Sequence, residues 1–218
     1  MLCFCSNAGP AFLFGIGMTL FSNLTFCLLM WCIQIFSAVS IAVFTPGTAP
    51  ASHFSTHIPA SKGTDKLPMA VKTMSLICVW VIIFRMIIRL AEIWLLKSFP
   101  DGPKCVILGI LELTNGCCEL KNLTDPAARW IIFSALLAFG GLCVALQTAS
   151  FTDIRPYLMA KPAQAAIAAT LAAFLCPYPI HARLGWGAAT MAVIVLSRYG
   201  LRAIFPKIAT GKSKQLHV

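Results

Sequence analysis

Glu112, Thr114 and Asn115 are the polar side chains in a run of thirteen residues, Cys105–Cys117, that is otherwise apolar. Lys104 precedes this run, which ends in Asn115-Gly116-Cys117 and is followed by Cys118. A carboxylate inside so apolar a segment is expensive, and it ordinarily faces a protein interior or a watery cavity. At 1.5 Å per residue such a helix reaches only about 20 Å, short of the ~30 Å hydrocarbon core. Asn and Gly both tolerate positive φ, so Asn115-Gly116 reads as a turn. The expectation is a short helix that enters a membrane, breaks between Leu113 and Gly116, and turns back. Backbone N–H and C=O groups left open at such a break are tolerated only beside protein or water, where they can hold a solute.

The rest of the chain supplies the elements that would position this break. Residues 1–21 hold a second short, Gly/Pro-interrupted apolar piece, broken by the polar Ser6, Asn7, Gly9 and Pro10, with a helix starting near Pro10, which suits a first helical turn. It either re-enters or runs on into the next helix. Residues 24–44 form a full span with Gln34 as its one strongly polar residue, and 45–68 form a polar loop punctuated by Pro and Gly. Residues 69–97 form a long helix in which Arg85, Arg89 and Glu92 share a face. That face either snorkels to the headgroups or turns toward the cavity near Glu112. Residues 130–150 form the clearest span, with Gly140-Gly141 suited to close helix approach and Gln147 near its end. Residues 154–176 are interrupted at Lys161-Pro162, 184–206 form a last span, and 207–218 form a basic tail. The predicted fold is therefore all-α: a polytopic membrane helix bundle of about five spans with one or two short re-entrant segments. Residues 1–206 make a single transmembrane domain.

Composition narrows the function classes. The 218 residues are 59% hydrophobic and 11% charged, with a mean hydropathy of +0.84. Soluble domains carry about 25% charged residues. A net charge of +10 does not indicate nucleic-acid binding, because the basic residues are scattered between apolar runs and no Lys, Arg, Asp or Glu precedes Lys62. Most of the ten cysteines lie within apolar runs, where a thiol behaves as a small hydrophobe, and no paired CxxC motif suggests zinc. His53, His57, His181 and His217 all fall in loops or the tail, so no nucleophile–base set points to an enzyme. No cofactor or metal is implied. Counting Lys and Arg in the connecting segments favours a cytoplasmic C-terminus in a multi-pass protein of the cell membrane.

Three stretches also carry a resemblance: Ser6–Gly17 (SNAGPAFLFGIG), Leu108–Cys117 (LGILELTNGC) and Phe139–Gln147 (FGGLCVALQ). Together they resemble sporulation integral membrane proteins of the YlbJ type, which carry the nucleoside-recognition (Gate) domain and are similar in outline to concentrative nucleoside transporters. The resemblance implies membrane-penetrating helical hairpins in a protein with two related halves, a role in making endospores, and no settled substrate. This chain looks like the C-terminal half of such a protein, working with an N-terminal-half partner or as a homo-oligomer in the lipid bilayer. The motif positions carried over as solute-binding are Asn7, Gly9, Pro10, Glu112, Thr114, Asn115, Gly116 and Gln147, with Gly140 and Gly141 beside them. The expected function is that of a transporter-like half binding a small solute. The alternative is a non-transporting structural component of a membrane complex needed for endospore formation.

Overall fold

The computed structural model describes residues 8–44, 66–149 and 154–178. Within them every regular element is helical and there is no strand. In chain order they are α1 (Pro10–Phe21), α2 (Leu24–Phe44), α3 (Lys66–Trp94), α4 (Asp101–Leu111), α5 (Leu113–Glu119), a 3-10 turn (Leu120–Asn122), α6 (Pro126–Phe139), α7 (Leu142–Ala149) and α8 (Arg155–Phe174).

Local chemistry sets several of these boundaries. Pro10 opens α1, where its missing N–H costs nothing. Ser22 ends α1 in the left-handed region at φ 50° and donates its N–H to Met18 O at 2.9 Å. Asn23 Oδ1 then accepts from Thr25 N at 2.9 Å and starts α2. Asp125 caps α6, accepting from Ala127 N at 2.9 Å, with Pro126 in the first turn.

The core is built around α6. Ten of its fourteen residues are buried, on every side, which marks a central helix. α8 packs against it through small residues, Ala168, Ala169, Ala172 and Ala173, which let the backbones approach closely. Hydrogen bonds stitch three helices together. Trp130 Nε1 donates to Ala172 O at 3.0 Å, Ser134 Oγ donates to Ala168 O at 3.1 Å, and Gln34 Nε2 donates to Ser134 O at 3.0 Å. α1 closes over this seam, with Phe21 edge-on to Trp130 at 5.4 Å between centroids. In lipid the hydrophobic effect does not drive helices together, so packing and such bonds must. Replacing Ser134 by Ala removes the bond to Ala168 O, and we expect a loss of about 0.6 kcal/mol, with ~1.7 kcal/mol as a ceiling. Thermal unfolding in detergent measures it; a loss above that ceiling would mean that repacking accompanies the substitution.

Among the described residues three helical stretches are long and apolar enough to cross a membrane: Leu24–Val43, Ala70–Trp94 and Pro126–Gln147, the last made of α6 and α7 together. Their surroundings differ sharply. In the most apolar stretch of the third, 67% of residues are buried inside the protein, against 11% for Ala70–Trp94. Among the described residues α3 is buried along a stripe through Phe84 and Ile88, which meets α4 and α7.

Several sequence expectations change here. The 130–150 span begins at Pro126 and is two helices, because Gly140 and Gly141 interrupt it. The polar loop ends before Lys66, where α3 begins, and residues 45–65 lie outside the described residues. Arg85 and Arg89 are both exposed, about 100° around the helix from the buried Phe84 and Ile88, and Arg89 Nη1 pairs with Glu92 Oε2 at 2.9 Å. Lys161-Pro162 does not interrupt a helix, since α8 runs through both residues. The expected span over 184–206 and the basic tail lie outside the described residues.

Candidate functional site

The residues that attracted attention in the sequence meet at a helical hairpin. Glu112 is the single extended residue between α4 and α5, at φ −148° and ψ 123°. Its N–H donates to Leu108 O at 2.8 Å and ends α4, while its carbonyl accepts from Gly116 N at 3.2 Å and begins α5. The break is therefore at Glu112 itself, ahead of the Leu113–Gly116 stretch expected from the sequence. Asn115-Gly116 is helical, and its glycine has a different use. A Cβ on Gly116 would lie 2.2 Å from Gly109 Cα and 3.0 Å from Cys105 O, so the two arms touch backbone to backbone. At the open end, Lys104 Nζ lies 3.5 Å from Glu119 Oε2.

The Glu112 carboxylate is turned onto its own helix. Oε1 accepts from Thr114 N at 2.9 Å, and Oε2 accepts from Asn115 N at 2.8 Å and Asn115 Nδ2 at 2.7 Å. Charge-assisted bonds of this length are strong, and they satisfy the open N–H groups at the start of α5. Glu112 is half-buried, Thr114 exposed and Asn115 half-buried.

A second break faces the first. Gly140 and Gly141 are consecutive left-handed residues at φ 83° and 85°, a conformation that few residues with side chains adopt. A Cβ on Gly141 would sit 3.1 Å from Leu113 N, 3.5 Å from Glu112 Cα and 3.6 Å from Gly109 O. Two discontinuities, 28 residues apart in the chain by the positions of Glu112 and Gly140, thus pack one on the other. On the far side of this contact, a Cβ on Gly140 would lie 3.3 Å from Tyr157 Oη.

Tyr157 leads to residues that the sequence reading passed over. Lys161, read from the sequence as part of the Lys161-Pro162 interruption, is 0% exposed inside α8. Its Nζ donates to Gln164 Oε1 at 3.1 Å and lies 5.6 Å from the centroid of the Tyr157 ring. Gln164 is also 0% exposed, and Tyr157 is buried. One signal for this cluster is present in the sequence: positions 157, 161 and 164 follow the i, i+4, i+7 spacing of a single helix face.

Of the remaining motif residues, Gln147 sits half-buried on α7 and donates from Nε2 to Cys143 Sγ at 3.4 Å. Gly9 and Pro10 are exposed at the start of α1, with nothing within 4 Å of where a Cβ on Gly9 would be. Asn7 lies outside the described residues. The structure brings together Glu112, Thr114, Asn115, Gly116, Gly140 and Gly141, and leaves the exposed Gly9-Pro10 start of α1 apart from that buried contact. Among the described residues no group of three His, Cys, Asp or Glu could hold a metal ion. No protein-family model, no curated protein and no solved structure matches the chain.

Proposed function

We propose that this chain is a membrane-embedded, transporter-like solute-binding protein whose site lies where the two helix breaks meet. The observation that carries this reading is the seat of Gly141 against Leu113 N and Glu112 Cα. Interrupted helices meeting between apolar helices are how membrane transporters place backbone polar groups beside a solute. The α4–α5 hairpin would then re-enter the bilayer without crossing it, as its length requires. Further spans in the cell membrane, with a cytoplasmic C-terminus, belong to this reading. So does the resemblance to YlbJ-type Gate-domain proteins, which rests on three motifs and keeps nucleosides and a sporulation role among the possibilities to test.

Proteoliposomes containing the full chain provide the test, with labelled uridine, benzoate and inorganic phosphate as probes. Uptake of at least one probe above protein-free vesicles is expected. Gly141→Ala should reduce it at least tenfold, because the added methyl group presses on Leu113 N at a left-handed residue. Equal flux in folded Gly141→Ala, or no flux of any probe, overturns the reading.

One observation favours a second reading, a non-transporting component of a larger membrane assembly. Among the described residues the apolar stretch of α3 is the least buried of the three, a surface suited to lipid or to another subunit. Co-purification of a partner chain, with no solute movement by the pair, would favour that alternative.

A further inference from the structure

α3 carries its charges in two groups, Lys66 and Lys72 at one end and Arg85, Arg89 and Glu92 toward the other, with the twelve uncharged residues 73–84 between them. Arg85 lies thirteen residues beyond Lys72, which is ~20 Å of helix in a hydrocarbon core of ~30 Å. With Lys72 at one boundary, Arg85 stops about 10 Å short of the other. A charge at that depth ordinarily faces the protein interior or a paired group. Arg85 is exposed instead, among the exposed Val81, Ile82, Met86 and Leu90, and it makes no ion pair among the described residues. Arg89, one turn on, is held by Glu92. Side chains on a helix lean toward its N-terminus, which for α3 carries Arg85 toward the middle of the bilayer and away from the nearer headgroups. A counter-anion therefore has to come in to the guanidinium.

We infer that the exposed face of α3 around Arg85 is a docking surface for an anionic phospholipid of the surrounding bilayer, its phosphate held by the Arg85 guanidinium and its acyl chains laid along Val81 and Ile82. The guanidinium is a planar fork of donors that matches a phosphate with two parallel bonds. Trp94, exposed nine residues further along, and the exposed Lys97 mark the headgroup level from which that phosphate is drawn. Glu92 limits the site to one strong cation, because it already neutralises Arg89. The inference needs only that α3 crosses a bilayer and is independent of the solute site.

The test is photo-crosslinking from the exposed position 82, one turn deeper than Arg85, with Ile82→p-benzoylphenylalanine in the full-length protein. The protein is placed in nanodiscs of equimolar phosphatidylglycerol and phosphatidylcholine, and the crosslinked lipid is identified by mass. Phosphatidylglycerol should be captured about fivefold more often than phosphatidylcholine, the scale of one basic residue's attraction to anionic lipid. Arg85→Gln should bring that ratio to the one-to-one composition of the bilayer, and Arg85→Lys should keep part of the excess. Arg85 is exposed, so thermal unfolding of Arg85→Gln in detergent should match the parent. Should that variant fail to fold, Glu92→Gln frees Arg89 as a second cation and should raise the excess above the parent's. A parent ratio equal to the bilayer composition overturns the inference. So does an unchanged excess in folded Arg85→Gln, or in Glu92→Gln when only that variant folds. Crosslinking to a second copy of the chain in place of lipid overturns it as well.

Discussion

Gly116→Ala should unfold the α4–α5 hairpin. The added Cβ would fall 2.2 Å from Gly109 Cα and 2.5 Å from Gly109 N, where carbon atoms ordinarily rest about 3.5–4.0 Å apart. Both colliding atoms are backbone, so no rotamer change relieves the clash and the arms must part by more than 1 Å. Overpacking of well-filled interiors costs about 1–3 kcal/mol, and this case belongs at or beyond the upper end. Two controls rank the effect. Gly109→Ala meets the ends of the Leu136 side chain at 2.5 Å, which can swing away, so its cost should be smaller. Gly15→Ala meets nothing within 4 Å on a helix and should be neutral or slightly stabilising. Thermal unfolding in detergent should therefore order them as Gly116→Ala, Gly109→Ala, Gly15→Ala, from most to least destabilised. Maleimide labelling of Cys117, which is 0% exposed, should rise in the first and stay low in the last. A Gly116→Ala protein that melts with the parent and keeps Cys117 unreactive would show that the arms do not touch.

Replacement of Glu112 separates its structural and solute-binding roles. Glu112→Ala deletes the acceptor for Thr114 N, Asn115 N and Asn115 Nδ2. Loss of a helix cap costs about 0.5–2 kcal/mol, and the half-buried Asn115 donors left without the carboxylate add to it. We expect about 2 kcal/mol or more, since α5 has only seven residues and no propensity to spare. Glu112→Gln keeps an amide oxygen for the cap and should lose about half as much stability. If the carboxylate also takes part in solute handling, Glu112→Gln should be folded and inactive in the vesicle assay. Wild-type flux in Glu112→Gln would confine Glu112 to the cap and place solute recognition elsewhere at the break.

These two residues mark how far the sequence could be read. The short reach of 104–119, its carboxylate and its glycine pointed to an interrupted helix, since segment length and turn chemistry are local properties. The sequence placed the turn at Asn115-Gly116, the usual signal, yet the chain turns at Glu112. A side chain that can supply three hydrogen bonds to the next helix outweighed local turn preference. Gly116 was then free to serve the arm-to-arm contact, a use visible only once Gly109 is opposite it.

What the sequence by itself determined was helicity, the apolar character of residues 24–44, 69–97 and 130–150, and the presence of unusual polar groups among them. Each follows from neighbours within a few turns: hydropathy over a window, proline at a helix start, a carboxylate in an apolar run. Tertiary structure alone decided which breaks meet, that Lys161 is interior, and that α3 is largely exposed among the described residues. Lys161-Pro162 reads locally as the edge of a helix, and only the packing of α6 and α2 on α8 makes it the middle of one. Two apolar helices of similar length are indistinguishable by composition. Small-residue faces, and interhelical bonds such as Gln34 to Ser134 and Trp130 to Ala172, select which of them lies at the centre and which lies outside.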